Sequence, residues 1–334
     1  MPTLQAIRAV KSAPLPLLRF TDLPHPERAV AHGHVVKIRH GVYASAQLWK
    51  DLPPWDRYLA RVHAAALVYP DAVFCLESAA ALLGLPIFGD PGEVHMLVAS
   101  RGTSRSFAAV RTHRSHPERE IIERSGLRVT SPADTAVDIA RLRHNAVGLA
   151  VADAALRLEP ALSRDALVQV NESRSSKRGR DIARWPLSRC TALSESTLES
   201  VSHAAIEWLG FPSPELQVVF RSAADAEDRG DCFWRGADLI GETDGDLKYD
   251  GRFGDPRTVM RNQFERDTRL RDRVREITHW GWREATTFAP LRGILTGAGL
   301  QQTGPEDSVQ LYAMKRLLAP HAPHPVAPDA SPRR

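Results

Sequence analysis

The chain contains 334 residues, of which 43% are hydrophobic and 25% are charged, and its formal net charge is +4. This length exceeds one ordinary hydrophobic core and predicts a globular protein of two or three domains. The three cysteines are widely spaced and odd in number, which excludes a disulfide framework and a thiolate zinc site. No stretch reaches the ~20 consecutive apolar residues of a membrane span, and the N-terminal residues lack the apolar run of a signal peptide. We therefore expect a protein of the reducing cytoplasm.

The charge is unevenly distributed along the chain. Residues 1–50 contain seven Lys and Arg against two acidic residues, a net charge of +5. Residues 191–300 contain fourteen basic and nineteen acidic residues, a net charge of −5. The basic N-terminal segment favours binding to a polyanion, and an ordinary solvated surface is the alternative.

Residues 1–50 are predicted to form a small head. Pro24 and Pro26 precede a short helix that Gly33 ends, and Val35–Arg39 is strand-like. A helix followed by a basic two-stranded wing is typical of a winged helix-turn-helix, whose helix enters the major groove. In this interpretation DNA is contacted by five basic or titratable side chains, namely Arg28, His32, Lys37, Arg39 and His40. The alternative is a helical cap that docks on the next domain.

Residues 51–170 are predicted to form an α/β middle domain. Helices are expected at 55–68, 76–83 and 146–158 and after the N-cap residue Ser131, and strands are expected at 94–99 and 108–113. The pattern indicates no catalytic constellation. His63, His95 and His113 lack the spacing of metal ligands. Asp134 and Asp138 lie one helical turn apart and are predicted to face solvent.

Composition sets the remaining boundaries. Residues 171–193 are poor in apolar side chains and predict a linker. Residues 194–300 follow as a C-terminal domain. Residues 301–334 are expected to form a C-terminal helix and then a disordered tail rich in Pro, Ala and His.

The C-terminal domain carries a group of carboxylates on adjacent predicted strands. Its element order is predicted as helix, three strands, a long helix at 259–280, a strand at 282–288 and a helix. Glu242 and Asp244 share a face of the third strand, and Asp231 joins them if the second and third strands pair as a hairpin. Oxygen clusters of this kind suit Mg2+ or Mn2+, and Lys248 follows within reach. The sequence therefore predicts metal-dependent hydrolysis of a phosphodiester.

This domain resembles the PD-(D/E)XK nuclease fold, and most closely the branch related to very-short-patch-repair endonucleases. The resemblance covers residues 194–300 and is carried by Ser196-x-x-Glu199, Gly210-Phe-Pro-x-Pro214, Asp231-x-Phe-Trp234, Gly241-Glu-x-Asp-Gly245 with Lys248-Tyr249, and Arg266-Asp267-x-x-Leu270. It implies that Asp231 and Glu242 are metal ligands and that Glu199 leans toward the same metal or its water.

One position departs from the nuclease signature, which has Lys two residues after the Glu. This chain has Asp244 there, as is usual in the patch-repair-like branch, so the resemblance implies a further ligand or catalytic carboxylate. Lys248 would then supply the missing positive charge. The absence of the motif lysine equally fits a domain that no longer cuts.

The N-terminal two thirds resemble the antitoxin component of AbiE-type toxin–antitoxin systems. The motifs are Arg39-His-Gly-Val-Tyr43, Glu77-Ser-Ala-Ala80 with Gly84-Leu-Pro86, and Thr130-Ser-Pro-Ala133 through Asp138-Ile-Ala140. This similarity implies a winged-helix DNA-binding head, an α/β middle domain and a cognate toxin as a partner.

The expected fold class is thus α/β multidomain, with an N-terminal winged helix-turn-helix, an α/β middle domain and a C-terminal restriction-endonuclease-like αβββαβ core. Two functions follow from it. The first is a DNA-binding endonuclease that depends on Mg2+ or Mn2+. The alternative is an antitoxin-like transcriptional repressor whose nuclease-like domain is catalytically inactive. A dimerisation role for that domain is a third interpretation.

Overall fold

The computed structural model describes residues 9–98, 104–114, 118–221, 227–244, 266 and 268–319. The chain divides into two compact units, Met1–Val201 and Ser202–Arg334. The described residues contain helices and three sheets, which confirms the expected mixed α/β class. None of the helices in these ranges is both long enough and apolar enough to cross a bilayer.

The first unit begins with a small sheet and a short helix. Its elements are β1 (Leu18–Arg19), α1 (Pro26–Ala31), β2 (Val35–Arg39) and β3 (Val42–Ser45), and the strand order is β1-β3-β2. Pro26 stands in the first turn of α1, where its missing N–H costs no hydrogen bond. Gly41 turns the chain between β2 and β3 at a φ of +74°, a conformation that favours glycine. A helix followed by a hairpin is therefore present, and its assignment as a winged helix-turn-helix stays a prediction.

The rest of this unit packs helices on a six-stranded sheet. The helices are α2 (Ala46–Asp51), α3 (Pro54–Val68), α4 (Leu76–Leu83), α5 (Pro132–Leu142), α6 (Asn145–Leu158), α7 (Arg164–Ser173) and α8 (Arg180–Arg189). The strands are β4 (Val73–Phe74), β5 (Val94–Val98), β6 (Ser106–Phe107), β7 (Val110–Arg114), β8 (Ile121–Arg124) and β9 (Leu127–Thr130), in the order β6-β7-β5-β4-β9-β8. Local signals set several helix ends: the Ser131 side chain accepts a hydrogen bond from the Asp134 N–H, and Gly84 ends α4 at a φ of +75°.

Two predictions of secondary structure for this unit are wrong. Ala108 and Ala109 do not belong to a strand; both have positive φ angles, 45° and 58°, and form the tight turn between β6 and β7. Helices α7 and α8 occupy most of 171–193, where the composition predicted a linker.

Asp134 and Asp138 are not solvated, contrary to the prediction. Both are 4% exposed. Arg174, also 4% exposed, forms ion pairs with both carboxylates. Arg119 adds a second contact to Asp138, with Nε donating to Oδ2 at 2.8 Å. The arginines lie far away in sequence, so the spacing of the two acids on α5 could not reveal their burial.

The second unit is built on a four-stranded sheet. Helix α9 (Thr197–Trp208) leads into it and is followed by β10 (Glu215–Arg221), β11 (Glu227–Trp234), β12 (Leu239–Thr243), β13 (Glu276–Trp280), α10 (Trp282–Thr287), α11 (Ala289–Gly297) and α12 (Ser308–Leu318). The strand order is β10-β11-β12-β13, with β12 and β13 parallel. One core cluster comprises Phe233, Ile240, Leu270, Val274 and Ile277. Gly241 is required in β12 because a Cβ atom there would lie 2.4 Å from the Trp280 ring.

Two elements near the end of this unit differ from the sequence prediction. Residues 276–280, predicted as helix, form β13, and residues 282–287, predicted as strand, form α10. Parallel pairing with β12 stabilises β13 and is not visible in the local pattern. The Glu284 carboxylate accepts a hydrogen bond from the Gly281 N–H and caps α10. The restriction-endonuclease-like assignment of this unit stays a prediction.

The buried ion cluster yields a stability prediction. Arg174→Met removes the guanidinium that neutralises two buried carboxylates, so we expect the free energy of unfolding to fall by about 3–5 kcal/mol. Arg184→Met is the control, because Arg184 pairs with Glu172 and Asp181 at the exposed surface. Urea unfolding checks both variants. Equal midpoints for the two would contradict the structural role of the buried cluster.

Candidate functional site

Two of the predicted metal ligands meet on one face of the second sheet. In the antiparallel register Cys232 lies opposite Gly241, and one further step places Asp231 opposite Glu242. In the parallel pair Glu242 lies beside His279. Opposed residues share a sheet face, so the three side chains are neighbours. The expected hairpin convergence of Asp231 and Glu242 is therefore present.

Asp231 is held by hydrogen bonds from two neighbouring strands. Its Oδ2 accepts from the Thr243 N–H at 2.9 Å and from the Thr243 hydroxyl at 2.8 Å. Its Oδ1 accepts from the Gln217 side-chain amide at a longer 3.3 Å. Gln217 has a φ of +52° inside β10, a conformation that costs free energy for any residue with a Cβ. The strained residue thus lies against the carboxylate that the sequence singled out.

Glu242 is the most deeply placed of the three predicted ligands, with 2% of its surface exposed. Burial, and then the charge of Asp231, raises its pKa to about 7, while Arg266 and His279 oppose the shift. Its Oε2 accepts from Arg266 Nη2 at 2.7 Å. Its Oε1 has no hydrogen-bond partner among the residues that the structure describes.

Asp244 pairs with a residue that the sequence analysis missed. Its Oδ2 lies 3.0 Å from His279 Nδ1, and its N–H donates to the Trp280 carbonyl. His279 escaped attention because its segment was predicted as helix. The sequence motif that contains Arg266 did not indicate its contact with Glu242, which spans 24 positions.

Two predicted catalytic residues remain, Glu199 and Lys248. Glu199 belongs to the first unit, where its Oε2 accepts from the Glu195 N–H at 2.8 Å and its own N–H donates to the Ser196 hydroxyl at 3.1 Å. Such contacts stabilise the start of a helix, and a role for Glu199 beside a metal stays a prediction. Lys248 lies outside the described residues.

The donor set in the second unit suits a hard divalent cation in part. Mg2+ is commonly held by one or two carboxylates and several waters, which the carboxylates of Asp231 and Glu242 could supply. The buried Oε1 of Glu242, without a partner in the described ranges, supports such a fit. In the same ranges no three His, Cys, Asp or Glu side chains gather closely enough to enclose a metal ion. The arrangement therefore supplies two ligands rather than a complete cage.

The predicted DNA contacts lie on the small N-terminal sheet and helix. Arg28, His32, Lys37 and His40 are exposed. Lys37 and His40 line a groove together with Phe20, Glu27, Val30, Gly41 and Tyr43. The groove therefore combines Lys37 and His40 with one carboxylate, Glu27, and an apolar floor.

Arg39 differs from the other four. Its Nη2 donates to the Ala108 carbonyl at 3.2 Å, and its guanidinium lies 5.5 Å from the centre of the Tyr69 ring. This side chain ties β2 to the β6–β7 turn inside the first unit. Its predicted contact with DNA would compete with that structural contact.

The histidines of the middle region form part of a buried polar chain. Arg143 pairs with Glu77, whose Oε2 lies 3.4 Å from His95 Nε2. His95 Nδ1 is 2.9 Å from His113 Nε2. Burial lowers the pKa of both histidines, that of His113 to about 4, so both rings are neutral near pH 7. These contacts link α4 to β5 and β7 and give the two histidines a structural role.

The chain is similar to a known protein family and to proteins of a mycobacterium. Residues 72–184 match the model of the AbiEi antitoxin C-terminal domain, which confirms the antitoxin-like resemblance for that region. No solved structure matches the chain. The uncharacterized proteins Rv2248 and MT2308, from Mycobacterium tuberculosis strains ATCC 25618 / H37Rv and CDC 1551 / Oshkosh, are each 32% identical to it over 218 residues. The aligned part covers 64% of this chain and 74% of each relative. The chain therefore belongs to the same protein family as these two mycobacterial proteins and contains a region similar to the AbiEi antitoxin C-terminal domain.

Proposed function

We propose that this protein is an antitoxin-type transcriptional regulator that binds DNA through its N-terminal head and a cognate toxin through its middle region. The observation that carries the proposal is the match of residues 72–184 to the AbiEi antitoxin C-terminal domain. A regulator of this kind needs a surface for DNA and a surface for its partner, and the two surfaces can lie on different parts of the first unit.

The head has the charge and exposure that DNA binding requires. Residues 1–50 carry a net charge of +5, and four of the five predicted contacts are exposed. Neutralising backbone phosphates releases condensed counterions, so each such contact adds to affinity and makes it more dependent on salt. Lys37 on β2 and Arg28 on α1 are the permanently charged side chains best placed for this role.

Lys37→Ala provides the DNA-binding test. We expect the full chain to bind its own promoter region in a gel-shift titration, with an affinity that falls steeply as salt rises. The variant should bind more weakly and lower the slope of log affinity against log salt by about 0.9, the contribution of one phosphate. Arg164→Ala, an exposed cation on α7, is the matched control and should leave the slope unchanged. Equal slopes for Lys37→Ala and the wild type would show that Lys37 does not contact a DNA phosphate.

A growth assay tests the antitoxin part independently of DNA. When the product of the adjacent gene arrests growth, co-expression of the full chain should restore it. Lys37→Ala should rescue as well as the wild type, because the antitoxin match begins only at residue 72. Failure of the wild-type chain to rescue growth, with both proteins present at normal levels, would count against the antitoxin function.

A second candidate function is hydrolysis of a DNA phosphodiester by the second unit. It is favoured by the juxtaposition of Asp231 and Glu242 and by the buried Glu242 oxygen that lacks a partner in the described ranges. The chemistry that Mg2+ or Mn2+ supplies in such a site is the polarisation of a phosphate oxygen and the activation of a water. The chain's own part would be to hold the ion through two carboxylates, to keep Asp231 oriented through Thr243, and to hold the Asp244 carboxylate beside His279.

Plasmid nicking in the presence of Mn2+ tests the second candidate. The wild-type chain should nick supercoiled DNA, and Asp231→Ala or Glu242→Ala should lower the rate at least about a hundredfold, the usual effect of removing a group that stabilises charge in the reaction. Asp228→Asn is the control, because Asp228 lies on the same strand and pairs with Arg269. Nicking that survives both alanine substitutions would assign the activity to another site or to a contaminant.

A further inference from the structure

Glu242 on β12 has two carboxylate oxygens in different situations. The side chain is 2% exposed, and Oε1 has no hydrogen-bond partner in the described part of the chain. A buried carboxylate oxygen without a hydrogen-bond partner is costly and uncommon in folded proteins. The geometry therefore indicates that a donor or a cation completes this side of the carboxylate.

The other oxygen is occupied by an arginine. Arg266 Nη2 donates to Glu242 Oε2 at 2.7 Å, and the Arg266 side chain keeps 29% of its surface exposed. The next arginine along the chain, Arg269, bonds both oxygens of Asp228 at 2.8 and 2.6 Å. Asp228 is thus neutralised by a two-point contact, whereas Arg266 Nη2 bonds one oxygen of Glu242 and leaves Oε1 without a hydrogen bond in the described ranges.

Asp231 on the neighbouring strand offers a second carboxylate whose hydrogen bonds are also unequal. Its Oδ2 is fixed by two donors of Thr243, whereas within the described residues its Oδ1 accepts the longer 3.3 Å bond from the strained Gln217. Oδ1 can therefore exchange its partner with less loss than Oδ2. Asp231 lies opposite Glu242 across the β11–β12 pair, so both carboxylates can contribute to one cation site.

We propose that Arg266 is a displaceable gate on a divalent-cation site formed by Glu242 and Asp231. Arg266 neutralises Glu242 in the cation-free chain and leaves the carboxylate when Mg2+ or Mn2+ binds. A guanidinium on one oxygen of a carboxylate and a divalent ion on the other repel each other, so binding of the ion weakens the contact of Arg266 with Glu242. Arg266 consequently sets the affinity for the ion. The inference rests on the second candidate function.

Mn2+ binding to the full chain, freed of metal by EDTA and dialysis, tests the gate without any assay of cleavage. Electron paramagnetic resonance reports the free Mn2+ at each point of a titration. Arg266→Gln should bind Mn2+ about tenfold more tightly than the wild type, because the ion no longer displaces a charged hydrogen bond. Arg269→Gln is the matched control and should bind as the wild type does. Glu242→Gln, alone or combined with Arg266→Gln, should abolish binding.

The possible results test two claims separately, namely that Arg266 is displaced and that the cation site exists. Equal affinities for the wild type and Arg266→Gln, both lost in Glu242→Gln, would overturn the gate and leave the cation site in place. Absence of binding in every variant, or binding that survives Glu242→Gln, would overturn the site and the second candidate function together. If circular dichroism shows that Arg266→Gln is unfolded, Arg266→Lys replaces it; this variant keeps the charge but loses the planar fork. An affinity between three- and tenfold above that of the wild type is then expected, on the same free-energy scale, and an unchanged affinity would overturn the gate.

Discussion

A carboxylate that is taken out of water needs a positive partner, and this constraint shapes both units of the protein. Removal of an ion from water costs several kcal/mol even after the protein relaxes, so a buried acid persists only where charge or hydrogen bonds compensate it. Asp134, Asp138 and Glu242 are all nearly inaccessible. The groups that neutralise or hydrogen-bond each carboxylate distinguish a structural cluster from a candidate functional site.

At Asp134 and Asp138 in the first unit, arginines and hydrogen-bond donors supply the compensation. Arg174 contacts both Asp134 and Asp138, and Asp134 also accepts from the Ser131 hydroxyl and the Glu120 N–H. These bonds join α5 to segments before and after it, which suits a cluster that stabilises the fold. In the second unit the compensation of Glu242 is partial, since burial and the charge of Asp231 raise its pKa to about 7 despite the contact with Arg266. A group kept near its titration point is a common property of functional sites, although ion pairs can produce it too.

The parts of this structure that sequence could predict are those fixed by local chemistry. The N-cap at Ser131, the left-handed Gly84 after α4 and the helix from Pro54 depend on neighbouring residues, and all three appear. Convergence of Asp231 and Glu242 could be predicted as well, because strand alternation and hairpin pairing are short-range. The strand at Glu276–Trp280 could not, since it depends on pairing with a strand some 37 positions earlier.

The same distinction holds for partners of charged residues. Arg174 lies 36 positions from Asp138, and His279 lies 35 positions from Asp244. No periodicity links such residues, so an acidic pair on a helix was interpreted as solvated when it is buried. Motif recognition located the carboxylates of the second unit but contained no information about what neutralises them. That information came from side-chain contacts alone.

The charge pattern bears on how one chain could serve both candidate functions. Residues 191–300 carry a net charge of −5, and a carboxylate-rich face repels the phosphates of DNA unless cations offset it. With Arg266 on Glu242 and Arg269 on Asp228, two of these carboxylates are already offset by the chain itself. A regulator that must leave its operator intact is compatible with this arginine-paired form. Hydrolysis would require the form in which Glu242 exchanges Arg266 for a divalent ion, so the relative stability of the two forms would decide between repression and cleavage.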